Sequence, residues 1–265
     1  MQITRQDVAV VTGAASGIGR ALALADVNEN GLEETARLAA EHGVTATTHI
    51  VNVSDNEQVA AFAGEVVARH GKASLLINNA GVGLLGSFEE LSVADFEWLM
   101  GINFWGVLYG VKHFLPVLKE QPEAHIVNIS SIFGLIAFPG QSACCASKFA
   151  VRGLTEALWG ELKGTNVRVS TVHPGGVRTA IAASSRLGEG TRPEEHSDVA
   201  ERFAQVARTT PEAAAERIVR GIRRNERKIL IGTDAGVVDR IQRLLPVKYQ
   251  TLLVPLFERQ MMAKR

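Results

Sequence analysis

Residues 7–19 read DVAVVTGAASGIG, a β-branched apolar run followed at once by a glycine-rich turn. A strand, a glycine turn and a helix start, in this order, present backbone N–H groups and a helix N-terminus to a pyrophosphate. Glycine at positions 13, 17 and 19 allows the backbone to approach phosphates closely. The stretch therefore predicts a dinucleotide-binding unit at the start of an α/β fold, and a plain tight turn remains the alternative.

The residues after this turn are too few for the unit that it predicts. A dinucleotide fold places a crossover helix and a second strand there, with an acidic residue about 20 positions on. Asp26 follows Gly13 by only 13 positions, with six residues between Gly19 and Asp26. Because a parallel crossover takes about a dozen residues or more, we expect the second strand to be missing or disrupted. Either the fold is truncated here, or the sequence lacks a segment of the protein.

The rest of the chain alternates apolar strand patterns with amphipathic helix patterns. Strands are expected at residues 45–53, 74–77, 125–130 and 167–172, with helices between them. This alternation predicts an α/β fold with a doubly wound, Rossmann-like parallel sheet. Ligands of such sheets bind at the carboxyl ends of the strands. The carboxyl end of the first of these strands, at residues 52–53, and the turns at residues 78–81 and 173–179 that follow two others are therefore candidate site segments.

One predicted buried helix carries a lysine. It opens with Ser142-Ala143-Cys144-Cys145-Ala146-Ser147-Lys148, and side chains four positions apart share a face. A buried lysine is costly unless it is paired. Ser131 ends the strand just upstream, so its hydroxyl is expected to face Lys148. A hydroxyl facing a lysine outlines an acid–base site.

Composition restricts the classes of partner. The 265 residues are 46% hydrophobic and 21% charged, with 28 basic and 28 acidic residues, which is ordinary for one globular domain spanning 1–265. No nucleic-acid partner is expected. The two cysteines are adjacent and cannot join distant segments, which favours a reducing, cytoplasmic location. No apolar run reaches the length of a membrane span and no signal peptide precedes the first strand. The scattered histidines predict no metal site.

The final third of the chain predicts two appendages to the domain. Residues 180–210 are polar and irregular, which is typical of a substrate lid. Residues 235–265 form two apolar-faced pieces separated by Pro246 and predict a helical extension. For this extension, packing or a subunit interface is favoured over membrane contact.

Five motifs occur in one order along the chain: Thr12-Gly13-x-x-x-Gly17-x-Gly19, Asn78-Asn79-Ala80-Gly81, Ser131 placed 13 residues before position 144, Lys148, and Pro174-Gly175. In this order and spacing they resemble the short-chain dehydrogenase/reductase family over roughly residues 7–179. The resemblance implies NAD(P)(H)-dependent alcohol or ketone chemistry in a homodimer or homotetramer.

The resemblance also assigns roles to residues. Its implied catalytic residues are Asn103, Ser131, Cys144 and Lys148. Its implied cofactor-binding residues are Gly13, Ser16, Gly17, Ile18, Gly19, Asp26, Asn52, Val53, Asn79, Ala80, Gly81, Lys148, Pro174, Gly175, Val177 and Thr179. Asn52 stands where the family often has an aspartate. Without the resemblance, Asn103 would be read as a satisfied polar group in a helical core.

Cys144 is the main departure, because the family has a tyrosine there. A thiol has an ordinary pKa near 8.5, which Lys148 is expected to lower. Its sulfur is a whole ring shorter in reach than a phenol oxygen. Because loss of a general acid costs about 10²–10⁴-fold in rate, we expect impaired oxidoreductase activity. The alternative is a catalytically inactive relative that binds a dinucleotide or a partner.

The expected cofactor is NAD, with NADP less favoured. Asp26 would accept from the ribose 2′-OH and repel a 2′-phosphate, and Ser16 supplies no positive charge beside the loop. Apolar residues after Ser131, at 133–138, suggest a small hydrophobic alcohol or ketone as substrate, although core packing explains them equally well.

Overall fold

A seven-stranded parallel sheet forms the centre of the protein. The computed structural model describes residues 1, 3, 7–14, 23–188, 190, 191, 201, 203 and 205–261, the last five as backbone only. The strands that it gives are β1 Ala9–Thr12, β2 Ala23–Asp26, β3 Thr47–Ile50, β4 Leu75–Asn78, β5 Leu84–Leu85, β6 Ala124–Ile129, β7 Val167–Pro174, β8 Arg186–Leu187 and β9 Lys228–Ile231. The main sheet has the order β3-β2-β1-β4-β6-β7-β9, and β5 pairs with β8 beside it.

Eight α-helices are given for the described residues. They are α1 Glu29–Glu41, α2 Asn56–His70, α3 Val93–Met100, α4 Gly106–Lys119, α5 Ser142–Glu161, α6 Pro211–Arg223, α7 Thr233–Leu244 and α8 Tyr249–Met261. A π-helical turn, Gly101–Trp105, joins α3 to α4, and a 3₁₀ turn, Ile132–Gly134, follows β6. The predicted α/β, Rossmann-like class is confirmed.

The predicted loss of the second strand is wrong. Strand β2 lies between β1 and β3 and pairs in parallel with both, with Val10 opposite Ala23 and Ala23 opposite Thr47. Its first three side chains are almost completely buried. An alanine-rich run has low intrinsic strand preference, but pairing on both edges and burial on both faces outweigh that preference here. The residues that join the two strands, 15–22, lie outside the described residues.

Apolar side chains cover both faces of the sheet. One cluster packs α2, α4 and α5 against it through residues such as Phe62, Phe114 and Leu158. The other packs α1 and α6 against the opposite face through Leu32, Ile218 and Ile222. This three-layer arrangement fixes the strand ends, and with them the loops that carry the candidate site.

The predicted lid is described only in part. Its residues 186–187 form β8, and residues 189, 192–200, 202 and 204 lie outside the described residues. The predicted C-terminal extension is helical in α7 and α8. Among the described residues, no helix has the length and apolar character needed to cross a bilayer. In the same part of the chain, no group of three or more His, Cys, Asp or Glu side chains is arranged to hold a metal ion.

Candidate active site

The carboxyl ends of the central strands bring the predicted site segments to one edge of the sheet. Thr12 pairs with Asn78, and Asn78 pairs with Asn128, so β1, β4 and β6 end side by side. Because all three strands run in parallel, the turns that follow them open toward the same space. Gly13, the Asn78–Gly81 turn and Ser131 therefore lie at this edge.

The turn after β1 is tied to the turn after β4. Asn79 donates its side-chain amide to the carbonyls of Thr12 (3.2 Å) and Gly13 (3.0 Å). In return, Thr12 Oγ1 accepts from the backbone N–H groups of Asn79 and Ala80, each at 3.2 Å. Gly13 has φ +66°, and a Cβ there would lie 2.6 Å from the Ala80 Cα. Only glycine fits this contact, because the conformation is left-handed and the space is already filled.

Lys148 lies at the centre of the edge. Its Nζ donates to the Ile129 carbonyl at 3.0 Å, at the end of β6. Burial lowers the pKa of Lys148 to about 8, and the nearby Cys144 opposes this shift only partly. An ammonium group has three donors. The two that remain on Lys148 have no acceptor among the described residues, so they are available to a ligand.

Asn103 is held rigidly beside Lys148. Its Oδ1 accepts from Val82 N at 2.8 Å, and its Nδ2 donates to Val82 O at 3.1 Å. The π-helical turn that carries Asn103 is a rare geometry that occurs often at functional sites. A Cβ on Gly81 would stand 3.3 Å from Asn103 Oδ1 and 3.5 Å from Lys148 Nζ. These three predicted residues are therefore brought together.

Ser131 is the second residue after the end of β6 and is partly exposed at the same edge. Its Oγ accepts from Phe133 N at 3.2 Å and caps the 3₁₀ turn. Its carbonyl accepts from Nδ1 of the buried His173 at 2.9 Å. Burial lowers the pKa of His173 to about 4, so the ring is neutral at pH 7. The hydroxyl of Ser131 keeps its own proton to donate.

Cys144 faces an apolar cluster. The side chain is 7% exposed and packs with Leu84, Leu91 and Leu99. Its thiol donates to the Leu84 carbonyl at 3.7 Å. The expectation that Lys148 lowers the pKa of the thiol is wrong in its net direction: burial is the larger effect and raises that pKa. The thiol therefore stays protonated at neutral pH and is a poor partner for proton exchange.

The residues predicted for the adenine-ribose side make contacts at the ends of β2 and β3. Asp26 ends β2 beside β1, and one of its oxygens accepts from Asn28 N at 3.0 Å. Asn52 uses its side-chain oxygen on Ser54, at 2.8 Å to the hydroxyl. Val53 is buried and packs against Gly106, whose added Cβ would meet it at 2.8 Å. Ser16, Gly17, Ile18 and Gly19 lie outside the described residues.

The turn after β7 is held by hydrogen bonds in its first residues, whereas its last residue is exposed to solvent. Gly175 N donates to Ile231 O at 2.9 Å, and Gly176 N donates to Asp234 at 2.7 Å. Val177 is buried and bridges to Thr209. Pro174 completes β7, whereas Thr179 is exposed, and its side chain is not brought to Lys148 by any described contact.

Sequence reasoning missed two residues that hold the site together. Thr12 was read only as part of the motif, although its hydroxyl joins two turns. His173 was read only as part of a turn, although it holds the Ser131 carbonyl. Thr12 carried a signal, since it stands between a strand and a glycine. His173 carried none, because its partner is 42 positions away.

Comparisons with known proteins agree with this geometry. Residues 7–190 match the family described as short chain dehydrogenase. A Mycobacterium tuberculosis protein with the provisional name oxidoreductase SadH is 42% identical over 260 residues, which cover 93% of each chain.

Two solved structures illustrate the likeness of fold. A short chain dehydrogenase/reductase from Burkholderia phymatum in complex with NAD is 30% identical, with a TM-score of 0.81 over 99% of each chain. An alcohol dehydrogenase from the archaeon Thermococcus sibiricus, complexed with 5-hydroxy-NADP, is 28% identical, with a TM-score of 0.71. The latter match covers 85% of this chain and 95% of that one.

Proposed function

The chain belongs to the short-chain dehydrogenase family and is an oxidoreductase, and from this we propose that it uses NAD to interconvert a small hydrophobic alcohol and ketone. The observation that carries the proposal is the convergence of Lys148, Asn103 and Gly81 at the strand ends. This cluster puts a cation with spare donors beside the turn that follows β4. We further propose that Cys144 limits the rate.

The described residues fit a dinucleotide. Gly13 keeps the turn after β1 close to Ala80, and Gly81 lies beside Asn103 Oδ1 and Lys148 Nζ. Lys148 offers donors to ribose hydroxyls, and Asp26 offers a carboxylate at the end of β2. A bound nicotinamide would supply the hydride chemistry. The roles proposed for the remaining cofactor residues follow the assignment from the motifs.

We assign the substrate oxygen to Ser131. Its hydroxyl can donate to a carbonyl oxygen while its own oxygen accepts from Phe133 N. The Ser131 backbone is held by His173, which reduces the freedom of the hydroxyl. Lys148 and Asn103 are assigned the tasks of orienting the cofactor and supporting proton transfer. Orientation of this kind accounts for a large part of enzymatic rate acceleration.

Cys144 is the residue of this set that is least suited to its role, which is proton exchange. Proton exchange with the substrate oxygen needs a group whose pKa lies near the working pH. Burial raises the pKa of this thiol, and its bond to Leu84 engages its proton. The two tyrosines of the chain make other contacts. The Tyr249 hydroxyl accepts from Ala137 N at 3.1 Å, and the Tyr109 ring stacks on Trp105.

The variant Cys144→Tyr tests the proposal. It should raise kcat/KM for a reference ketone with NADH by about 10²–10⁴-fold, the typical contribution of a general acid. The assay is NADH oxidation followed by absorbance, with cofactor affinity measured in parallel.

The matched control is Cys145→Ser. Cys145 is adjacent but bonds to Ile136 O on the other side of the helix, at 3.8 Å. It should leave the rate unchanged. A Cys144→Tyr enzyme that folds and binds NADH but turns over no faster than the starting protein would refute the rate-limiting role.

A second function is favoured by the same burial. It is a dinucleotide- or partner-binding relative without catalysis, and it would be supported if both the starting protein and Cys144→Tyr bound NADH but neither turned over any alcohol or ketone tested. We also propose NAD over NADP from Asp26, a homodimer or homotetramer, a cytoplasmic location, and a lid formed by residues 180–210.

A further inference from the structure

The C-terminal tail, here residues 240–265, differs in charge from the rest of the chain. It holds six basic residues and one acidic residue, a net charge of +5, whereas the whole chain is neutral. The net charge of the whole chain does not reveal this difference between the tail and the remaining residues. Residues 1–239 hold 22 basic and 27 acidic residues, a net charge of −5. A basic segment attached to an acidic domain indicates an acidic partner or an anionic surface.

The same tail exposes large apolar side chains. Val247 and Leu244 are 84% and 79% exposed, the two highest values among the described large apolar residues. Leu252 and Leu256 are 49% and 56% exposed, and as positions four apart on α8 they share one face of it. We call these four side chains the tail surface.

Helix α8 is already attached to the domain through its other side. Leu253 is 8% exposed and packs with Ile136 and Phe138. The Tyr249 hydroxyl accepts from Ala137 N at 3.1 Å. The helix is therefore apolar on two sides, one packed and one exposed. Packing within the chain accounts for Leu253 but leaves the tail surface without a function.

The cations beside the tail surface are available to a partner. Arg240, Arg243 and Lys248 are all exposed. Arg243 bonds to Asp239 at 3.2 Å, whereas no carboxylate among the described side chains pairs with Arg240 or Lys248. Exposed leucines and valine flanked by unpaired cations match the interfacial region of an anionic bilayer, where apolar groups enter the acyl boundary and cations meet headgroups.

We propose that the tail surface docks the enzyme on an anionic lipid bilayer. A second copy of the chain is the competing occupant, but a two-fold interface centred on the tail surface would place two identical basic surfaces against each other. Like charges brought together oppose such an interface. Docking would leave the strand ends and Lys148 unchanged, so the proposal does not depend on the catalytic assignment.

Co-sedimentation of the purified full chain with vesicles tests the proposal. Binding is expected to equimolar phosphatidylcholine and phosphatidylserine, with little binding to phosphatidylcholine alone. Added salt should weaken it, since charges near the surface are screened. Replacing both Arg240 and Lys248 by Gln should reduce the partition by about fivefold for each charge.

The apolar part of the proposal needs a separate variant. Leu252→Asp with Leu256→Asp should abolish binding, and Val93→Asp, at a 75% exposed position on α3, is the control and should bind like the starting protein. Equal binding by the double variant would overturn the proposal. So would no binding to the anionic vesicles, or a double variant that changes only the oligomeric state in sedimentation velocity, because this would assign the surface to a second copy.

Discussion

At the scale of single residues, Lys148 decides how the site responds to pH. Burial holds its pKa at about 8, below its ordinary value, so the folded state releases this proton more readily than the unfolded chain. At pH 7 the side chain is mainly an ammonium with two spare donors. Above its pKa it becomes an amine with one donor fewer and no charge.

We therefore expect NADH affinity to fall by about tenfold between about pH 7 and about pH 9, since a hydrogen bond to a charged group is stronger than one to a neutral group. Fluorescence titration across this range measures the change. Lys148→Met should bind more weakly at pH 7 and show no dependence on pH. A starting protein whose affinity is constant over the range would contradict the role of Lys148.

At this scale, the sequence predicts which residues carry the chemistry, but not how the folded protein surrounds them. The motifs name Lys148 and Gly81, the family resemblance adds Asn103, and the structure brings the three together. The direction of the Cys144 pKa shift was misjudged, because burial by Leu84, Leu91 and Leu99 depends on segments far away in sequence. His173 was missed for the same reason.

At the scale of elements, two glycines in turns, one of them directly after β1, allow a matched pair of variants. Gly13 and Gly43 share a left-handed conformation, with φ values of +66° and +69°. A Cβ at Gly13 would meet Ala80, whereas a Cβ at Gly43 would meet nothing within 4 Å. Alanine at position 43 therefore tests the cost of the backbone conformation alone, whereas alanine at position 13 adds the cost of a steric clash.

Gly43→Ala should lower the free energy of unfolding by about 1 kcal/mol, the cost of a left-handed conformation. Gly13→Ala should lower it by a further 1–3 kcal/mol or so, the typical cost of overpacking. It should also weaken NADH binding, because the turn must move. Urea unfolding gives both values, and equal losses in the two variants would refute the close contact with Ala80.

Element prediction succeeded where hydrophobic periodicity was long, as in α5 and β7, and failed for β2. Four residues, three of them alanine or leucine in alternation, carry little local signal for a strand. The pairing of β2 with β1 and β3 decides its conformation. A length argument about crossovers could not detect this, because it depended on where the strand began.

At the scale of the whole molecule, buried neutral histidines predict sensitivity to acid. Burial lowers the pKa of His125 to about 3 and that of His173 to about 4. Both values lie below those of the unfolded chain, so the unfolded state binds more protons as the pH falls below about 6.5. This contribution to stability is complete above about pH 6.5 and is lost as the pH falls toward 4.

Because the unfolded chain takes up these protons first, each histidine should lower the free energy of unfolding by about 3 kcal/mol at pH 4, relative to neutral pH. Urea midpoints measured at successive pH values give the profile. His125→Gln, which keeps a donor for Ser170 Oγ, should flatten it. An equally steep profile in this variant would show that other groups dominate acid unfolding.

The central claim is that the strand ends form a dinucleotide site despite the few residues between Gly19 and Asp26. Titration of the purified protein with NADH, followed by cofactor fluorescence, tests it most directly. We expect saturable binding with a micromolar dissociation constant, tighter for NADH than for NADPH. Absence of saturation at millimolar NADH would contradict the claim.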